Sequence, residues 1–412
     1  MKDTRICFLA ALLFSLCFVS VSAQNDEAII RGIADRILKD HVNQYVGKST
    51  KKTYNSTKEI PQDEEVYFKS AYMDWLYSMG VLDMAMVIAS NYFNDKRYLQ
   101  FAIDHVDYAF ANYPFFEKRK EKFSHGQFHF MWKNDELDHF GAMGAAIVDI
   151  EKTNPKPIYK TYLQNAAKHL FEKQARFDDG TLVRTWPHAL TLWADDLYMG
   201  VSFLARMGTY TGDEKYWNDA ILQLEKANEY LFCNETGLYY HAYYGDLQTQ
   251  GGAHWGRCNG WIMLGTALLI DALPENHPKR ERMISLLKRQ IFHVSHYQNA
   301  NGLWNQILDK KDSYEETSCT TIFTYCIALA INNNWLDKRY ASIALNGWEG
   351  LTTHKITPDY VLKDVCIGTG IGNDLAFYYK RPVRDNDTHG MGLILDAGIE
   401  IIKLKKLINK KN

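Results

Sequence analysis

The chain has 412 residues, with 47 Lys and Arg against 49 Asp and Glu and a formal net charge of −2. This near balance excludes nucleic acid as an expected partner, because phosphate binding needs a concentrated positive patch. Aromatic residues make up 14% of the chain, including 26 Tyr and 10 Trp, a content typical of proteins that stack on ring-shaped ligands. The length suits one large domain or two ordinary ones.

The first 23 residues have the pattern of a secretory signal. Lys2 and Arg5 precede an apolar stretch over 6–19, and a small-residue cleavage site follows at 21–23. A membrane anchor or a lipoprotein is the alternative, but the apolar stretch is short for a membrane span of about 20 residues. We therefore predict export to the periplasm or the extracellular space, a mature chain that begins near Gln24, and no stable membrane insertion.

Apolar residues recur at helical spacing through nearly all of the remaining chain, and alternating strand-like runs are short and rare. Polar or proline-bearing turns lie between apolar helices at residues 94–98, 155–159, 212–216, 277–280 and 336–340. Their spacing of about 60 residues predicts a repeating helical hairpin. An open solenoid would need polar capping repeats, which the sequence lacks. Since no Gly/Ser-rich or charged linker divides the sequence, we predict an all-α (α/α)6 barrel formed by residues 24–412 as a single catalytic domain.

The stretch WPHALTLWADDLYMG, residues 186–200, places two adjacent carboxylates among large aromatic residues. Neighbouring positions on a helix point about 100° apart, so at most one of Asp195 and Asp196 can face a given cavity. One is a candidate acid, and the other is a candidate cap or orienting partner. A simple helix N-terminus is the alternative interpretation, because Asp is favoured there.

A second acidic segment lies one repeat earlier. HGQFHFMWKNDELDH, residues 125–139, combines paired histidines with Asp135, Glu136 and Asp138 at a helix predicted to start near Asp135. Capping would account for one or two of these acids, but Asp138 is followed by small residues that permit close approach. Because Asp195 follows Asp138 by 57 residues, the two can occupy equivalent positions on adjacent inner helices and face one cavity.

Two aromatic segments follow the acidic pair. GLYYHAYY, residues 237–244, surrounds His241 with four tyrosines that suit a hydroxylated ring, although a structural histidine is the alternative. GGAHWGRCNGW, residues 251–261, combines glycines and two tryptophans with Arg257, whose planar guanidinium suits a carboxylate. We predict that both segments bind substrate.

Two more segments lie at positions in the helical repeat where they would line the same cavity. They are GLWNQ, residues 302–306, and SYEETS, residues 313–318. In the second, Ser313 and Glu316 also have the spacing of a helix capping box, which predicts a helix N-terminus.

Motifs of several other enzyme classes do not occur. The sequence has no G-x-S-x-G elbow, no H-E-x-x-H, no Walker loop and no G-x-G-x-x-G after a predicted strand. His125, His129 and His139 are weak evidence for zinc, because they lack a further ligand of clear helical phase. We predict no metal site.

The order of these motifs, together with DSYEETS and CIGTGIGND followed by FYYKRP, resembles glycoside hydrolase family 105. These are the unsaturated rhamnogalacturonyl and related unsaturated glucuronyl hydrolases, and the similarity runs from about residue 65 to 402. The resemblance implies an (α/α)6 barrel and no metal or organic cofactor. It also implies action on the 4,5-unsaturated uronic acid that a polysaccharide lyase leaves at a chain end, by hydration of the vinyl ether rather than two-carboxylate displacement.

The resemblance also implies roles for individual residues. Asp195 matches the general acid and base that protonates C4 while water adds at C5, and Asp138 matches a second catalytic aspartate. His241 and Arg257 match positions that bind the sugar or its carboxylate. The candidate substrate-binding residues of all these segments are His129, Trp186, His188, Trp193, His241, Trp255, Arg257, Asn259, Trp261 and Trp304.

The aromatic surroundings predict a raised pKa for Asp195, because burial disfavours the charged form. Asp196 is then the cap or orienting partner. Two other functions stay open: an (α/α)6 lyase or ordinary glycosidase acting on saturated chains, and a non-catalytic helical-repeat protein that binds glycans. The expected partner is an unsaturated uronide oligosaccharide, and we expect a monomer or weak oligomer.

Overall fold

The computed structural model describes residues 25–123, 126–133 and 136–410. Its α-helices are, in chain order, α1 (25–40), α2 (Tyr77–Phe93), α3 (Lys96–Glu117), α4 (His129–Lys133), α5 (Leu137–Glu151), α6 (Pro157–Glu172), α7 (Ala194–Thr211), α8 (Glu214–Leu231), α9 (Gly256–Ala272), α10 (Arg280–Ser295), α11 (Thr317–Asn332), α12 (Ala341–Gly350), α13 (Leu375–Tyr379) and α14 (Thr388–Asn409). Short 3-10 helices cover Thr57–Glu59, Ala71–Met73 and Lys338–Tyr340, and a π-helical turn covers Leu351–Lys355. The predicted signal sequence, His125 and the helix start predicted at Asp135 lie outside the described residues.

Within the described residues, six helices form a closed inner ring. Around it, α2 packs against α5, α5 against α7, α7 against α9, α9 against α11, α11 against α14, and α14 against α2. Helices α3, α6, α8, α10 and α12 each pack against the inner helix that precedes them. Helix α1 takes the sixth outer place, since Ile30 packs against Gly398 of α14 and Lys405 of α14 donates a 2.6 Å hydrogen bond to Asp26. The predicted all-α (α/α)6 barrel is confirmed.

The sequences of the two layers differ as their positions require. Helix α11 carries no charged residue, and every residue of 317–331 is buried, as expected for a helix without a charged face. Outer helix α8 instead alternates charged and apolar residues and buries one face. The repeating turns lie at the starts of the outer helices, where the side chains of Asp95 and Asp213 cap α3 and α8.

Glycines near the N-terminal ends of the inner helices permit close contact with the next helix. A Cβ on Gly80 of α2 would lie 2.5 Å from the carbonyl carbon of Ala142 in α5. A Cβ on Gly141 of α5 would lie 2.4 Å from the carbonyl oxygen of Met199 in α7. Because these contacts join similar turns of successive helices, the inner helices run parallel with their N-terminal ends level.

Short antiparallel strands of the described residues form three small sheets. The first is β2 (Thr53–Tyr54), β1 (Tyr45–Gly47) and β3 (Val66–Phe68), the second is β4 (Thr191–Trp193), β5 (Ala242–Tyr244) and β6 (Thr249–Gly251), and the third is β7 (Val365–Cys366) and β8 (Val383–Arg384). Strand β4 leads directly into α7, and its Trp193 pairs with Ala242 of β5. This pairing brings the start of α7 beside His241.

The capping box predicted at Ser313 is wrong in one respect. Helix α11 begins at Thr317, three residues later than an N-cap at Ser313 would place it, and its N-cap is Glu316, whose carboxylate accepts hydrogen bonds from the backbone N–H of Ser318 and Cys319. The Ser313 hydroxyl instead bonds to carbonyls of the preceding turn. A carboxylate therefore caps its own helix, an arrangement that Asp or Asn provides more often.

No described helix combines the length and the low polarity that crossing a bilayer requires.

Candidate active site

The second residues of the six inner helices form one polar group at the N-terminal end of the barrel. They are Ser78, Asp138, Asp195, Arg257, Ser318 and His389. Contacts and charges link four of them: Arg257 donates a 3.2 Å hydrogen bond to Ser318, and its charge also acts on Asp195 and His389. Because six parallel helices direct their N-terminal dipoles here, this end of the barrel favours an anion.

Asp195 lies in the first turn of α7 and is 6% exposed. Its Oδ2 is 2.7 Å from Nε2 of His241, and Nδ1 of His241 is 2.8 Å from the hydroxyl of Tyr378. That hydroxyl accepts a 3.1 Å hydrogen bond from the backbone N–H of Gly372. With a proton on Nε2, His241 donates to Asp195, and its Nδ1 shares the second hydrogen bond with the Tyr378 hydroxyl.

The pKa of Asp195 lies below its ordinary value. Burial acts to raise this pKa. The charge and hydrogen bond of His241 and the charges of Arg257 and Arg184 act to lower it, and together they outweigh burial. The prediction of a raised pKa is therefore wrong, because it considered aromatic burial without the contacts of His241 and Arg184. At neutral pH the Asp195 carboxylate is ionised in the free protein.

Arg184 joins the two acidic segments, and sequence analysis missed it. Its Nε and Nη2 donate to the two carboxylate oxygens of Asp196 at 2.6 and 2.7 Å, and Nη2 also donates to Oδ2 of Asp138 at 2.7 Å. The ring of Trp193 lies 3.9 Å from the guanidinium carbon. Asp196 therefore does not cap α7; it is the partner in a bidentate ion pair, as the alternative of an orienting role predicted.

Burial and the negative charges of Asp138 and Asp195 raise the pKa of Asp196 to about 7, against the opposing effect of Arg184. The site thus holds two adjacent carboxyl groups with pKa values shifted in opposite directions.

Asp138 occupies the place on α5 that Asp195 occupies on α7, as the 57-residue spacing predicted. Its Oδ2 is held by Arg184, whereas Oδ1 has no hydrogen-bond partner among the described residues. The side chain is 24% exposed. Oδ1 is itself buried, so it is an unsatisfied polar atom that a ligand or water entering the site would pair.

Of the predicted substrate-binding residues, Trp186 and His188 lie on the surface. Trp186 is 67% exposed. The ring of His188 packs edge-on against Tyr244, and its Nε2 is 3.7 Å from Asp246. The loop that carries them leads through β4 to Asp195, so both remain candidates for contact with substrate.

His129 lies on α4, which packs against α3 and α5. Within the described part of the chain, no group of three or more His, Cys, Asp or Glu side chains is arranged to hold a metal ion. His125, one of the three histidines considered for zinc, is outside that part.

The structure places three of the predicted tryptophans in the interior. Trp255, Trp261 and Trp304 have no exposed surface. Trp255 packs 4.7 Å from the ring of His241, whereas the indole N–H of Trp304 donates to the carbonyl of Val294 in the core. As folded, these rings have no free face for a sugar, so the predicted stacking role gains no support from their placement.

Asn259 and Arg257 also make contacts within the protein. The Asn259 amide exchanges hydrogen bonds of 2.8 and 2.9 Å with the backbone of Tyr239, two residues before His241. The Arg257 guanidinium donates to the carbonyls of Cys366 and Ile367 as well as to Ser318, while its Nε has no partner among the described residues. Asn259 therefore holds the backbone near His241, and the charge of Arg257 remains beside Asp195.

Tyr77, Tyr378 and His389 also belong to the site and were not predicted. Charges of Asp138, Asp195 and Arg257 all act on Tyr77, and His389 packs edge-on against its ring at 5.2 Å. The sequence offered two weak signals for these residues. Tyr378 falls within the FYYKRP motif, and Tyr77 and His389 lie at the starts of apolar helices.

Comparisons with known proteins identify the family of this chain. The model of Glycosyl Hydrolase Family 88 matches residues 26–405. Unsaturated rhamnogalacturonyl hydrolase YesR of Bacillus subtilis is 26% identical over 273 residues, which are 64% of this chain and 77% of that protein. Unsaturated 3S-rhamnoglycuronyl hydrolase of an Alteromonas species is 31% identical over 220 residues, 51% of each chain, so the match spans about half of that relative.

The fold also has solved counterparts. A glycoside hydrolase of family 105 from C. acetobutylicum superposes with a TM-score of 0.71 at 24% identity, over 84% of this chain and 96% of that one. This likeness supports the barrel fold. The predicted resemblance to the unsaturated uronyl hydrolases is confirmed, and because the family model spans nearly the whole chain, the protein belongs to Glycosyl Hydrolase Family 88.

Proposed function

We propose that this glycoside hydrolase removes the 4,5-unsaturated uronic acid from the non-reducing end of oligosaccharides made by polysaccharide lyases. The observation that carries the proposal is the buried pair of Asp195 and His241 at a helix N-terminus where six helix dipoles favour an anion. The names of the curated relatives describe the same class of substrate.

The site suits the addition of water to a vinyl ether. Asp195 gives its proton to C4, and the carboxylate that results accepts a proton from the water whose oxygen bonds to C5. The hemiketal formed then opens and releases the aglycone. The buried, unpaired Oδ1 of Asp138 would accept a hydrogen bond from a sugar hydroxyl or from this water.

Asp195 is ionised in the free protein, so it must gain its proton as the substrate binds. The substrate carboxylate brings a second negative charge next to Asp195, and pairing with that carboxylate reduces the effect of Arg257 on Asp195. Both changes favour the protonated form. The anionic substrate thus converts Asp195 into an acid only when it is bound.

The test is the ultraviolet absorbance of the alkene in lyase-made oligosaccharides. We expect the protein to remove this absorbance and Asp195→Asn to slow its removal by at least about 1,000-fold, since general acid–base groups contribute that order. Asp271→Asn is the matched control, because Asp271 is exposed at the opposite end of inner helix α9. Full activity of Asp195→Asn, a gain of absorbance, release of saturated ends, or binding without turnover would each refute the proposal.

We further propose that the first sugar of the aglycone is rhamnose, because the names of both curated relatives specify a rhamnose-containing substrate. A panel of lyase products from pectic rhamnogalacturonan, ulvan and glycosaminoglycans tests this. Turnover of the first or second, without turnover of the third, is expected. Preference for the glycosaminoglycan product would contradict it.

We also propose that the protein is exported and acts in the periplasm or outside the cell. The sequence pattern of residues 1–23 supports this. Amino-terminal sequencing of the protein recovered from its native host should begin near Gln24. A protein that retains Met1 would contradict export by this route.

A further inference from the structure

Arg184 lies between α6 and β4, outside the repeating hairpins, and its backbone is fixed by a β-bridge. Its N–H donates to the carbonyl of Thr191 at 2.8 Å, and the Thr191 N–H returns a 3.4 Å bond. Thr191 begins β4, which runs directly into the helix that carries Asp195 and Asp196. The arginine is therefore held in register with the acidic pair, and only 6% of it is exposed.

The guanidinium bridges two inner helices. Its fork binds both oxygens of Asp196 on α7, and Nη2 also reaches Oδ2 of Asp138 on α5. Its remaining terminal nitrogen, Nη1, is 3.5 Å from Glu136, and the ring of Trp193 covers one face. A planar five-donor group can make all these contacts at once, whereas an ammonium cannot.

We propose that Arg184 is the positioning residue of this active site: by holding Oδ2 of Asp138 beside Asp196, it leaves the buried Oδ1 of Asp138 unpaired for the substrate. The proposal rests on the proposed function, because it assigns that oxygen to the sugar or the attacking water. Asp195 is held differently, by His241, and has no direct contact with Arg184. Arg184 thus acts through Asp138 and Asp196.

Loss of the arginine has an electrostatic consequence as well as a geometric one. The groups that face it are Glu136 and Asp138 from α5 and Asp195 and Asp196 from α7. Charges of His241 and Arg257 also act on Asp195, and Asp195 interacts in turn with His389 and Tyr77. Without Arg184, the repulsion among these acids is less compensated, and Asp195 and Asp196 take up protons at higher pH.

The test compares Arg184→Met and Arg184→Lys with Arg176→Met. Arg176 is a matched control because its Nη1 and Nη2 pair with Asp219 at 2.9 and 2.7 Å in the same inter-helix segment, away from the inner-helix N-termini. With a lyase product as substrate, we expect Arg184→Met to lower kcat by about 100-fold, as misplacement of a reacting group by about 1 Å does. The acid limb of kcat/KM should also move to higher pH.

Arg184→Lys keeps the charge without the fork, so its pH profile should stay near that of the parent while kcat still falls. Arg176→Met should lower the melting temperature but leave kcat and the pH profile unchanged. Unchanged kcat in Arg184→Lys, or a loss of the same factor at every pH in Arg184→Met, would overturn the proposal. If Arg184→Met does not fold, Arg184→Lys decides alone. Parent activity and the Asp195→Asn variant test the proposed function separately.

Discussion

Asp195 is surrounded by groups that favour its ionised form. Its carboxylate is stabilised above the pKa of an unfolded aspartate, about 3.9, and this stabilisation is lost as the pH falls through the lower folded-state pKa. After burial, which opposes this effect, the largest contribution comes from His241. The histidine therefore controls where Asp195 titrates.

Replacement of His241 by Ala should raise the pKa of Asp195, because burial then acts with less opposition. Titration of the aspartate carboxyl carbons by 13C NMR measures this, with Asp195→Asn assigning the signal. His296→Ala is the control, since His296 is exposed at the end of α10 and bonds only to the carbonyl of Phe292 in the described structure. An unchanged Asp195 titration would show that Arg257 and Arg184 suffice.

At the scale of helices, the position of Asp195 depends on how closely α7 approaches α5. Gly141 on α5 leaves no room for a Cβ, which would lie 2.4 Å from the carbonyl oxygen and 2.7 Å from the carbonyl carbon of Met199. Backbone atoms cannot move aside as a flexible side chain can. Any substitution here must push apart the two helices that carry the catalytic candidates.

We expect Gly141→Ala to lower the free energy of unfolding by about 1–3 kcal/mol, as overpacking does, and to reduce kcat. Gly265→Ala on α9 is the control, because the nearest atoms to its added Cβ are 3.7 Å away. That change should be neutral or stabilising, since Ala is favoured over Gly within a helix. Denaturant unfolding and kcat are the measurements; equal stability of the two variants would contradict the role of the close contact.

Helical spacing was enough to predict the ring and the equivalence of Asp138 and Asp195, because a hairpin repeat places each inner helix in the same orientation. It was not enough to find Arg184, which lies in an irregular segment whose β-bridge has no periodic signal. It also could not show that Trp255 and Trp261 face inward. An aromatic-rich motif has the same sequence pattern whether its rings pack in the core beside a site or are exposed to the substrate.

At the scale of the whole barrel, the two ends carry different electrostatics. The end opposite the active site has a buried group on α14, where Asp396 is 9% exposed and Glu400 is 5% exposed. Glu400 is paired, since it accepts hydrogen bonds from Asn332 and Lys403 at 2.7 and 2.6 Å. Oδ1 of Asp396 has no partner within the described residues. Asp396 is thus a buried carboxyl group with one oxygen that no hydrogen bond satisfies.

Burial and the charge of Glu400 raise the pKa of Asp396 to about 8, despite Arg206 and Lys403. Between about pH 4, where an unfolded aspartate loses its proton, and pH 8, the folded chain keeps a proton that the unfolded chain releases. The free energy of unfolding therefore falls as the pH rises through this window. Asp396→Asn removes that titration, so the variant should lose less stability than the parent between pH 5 and pH 8.

Urea unfolding at several pH values measures the difference, with Asp104→Asn, an exposed site on α3, as the control that keeps the parent slope. We expect Asp396→Asn to be more stable than the parent at pH 8. At that pH the folded parent either carries a buried charge or keeps a proton that the unfolded chain releases, and both lower its free energy of unfolding. Parallel curves for Asp396→Asn and the parent would mean that Asp396 is ionised in the fold throughout this range. The effect should leave the opposite end of the barrel unaffected, so kcat of Asp396→Asn should equal that of the parent.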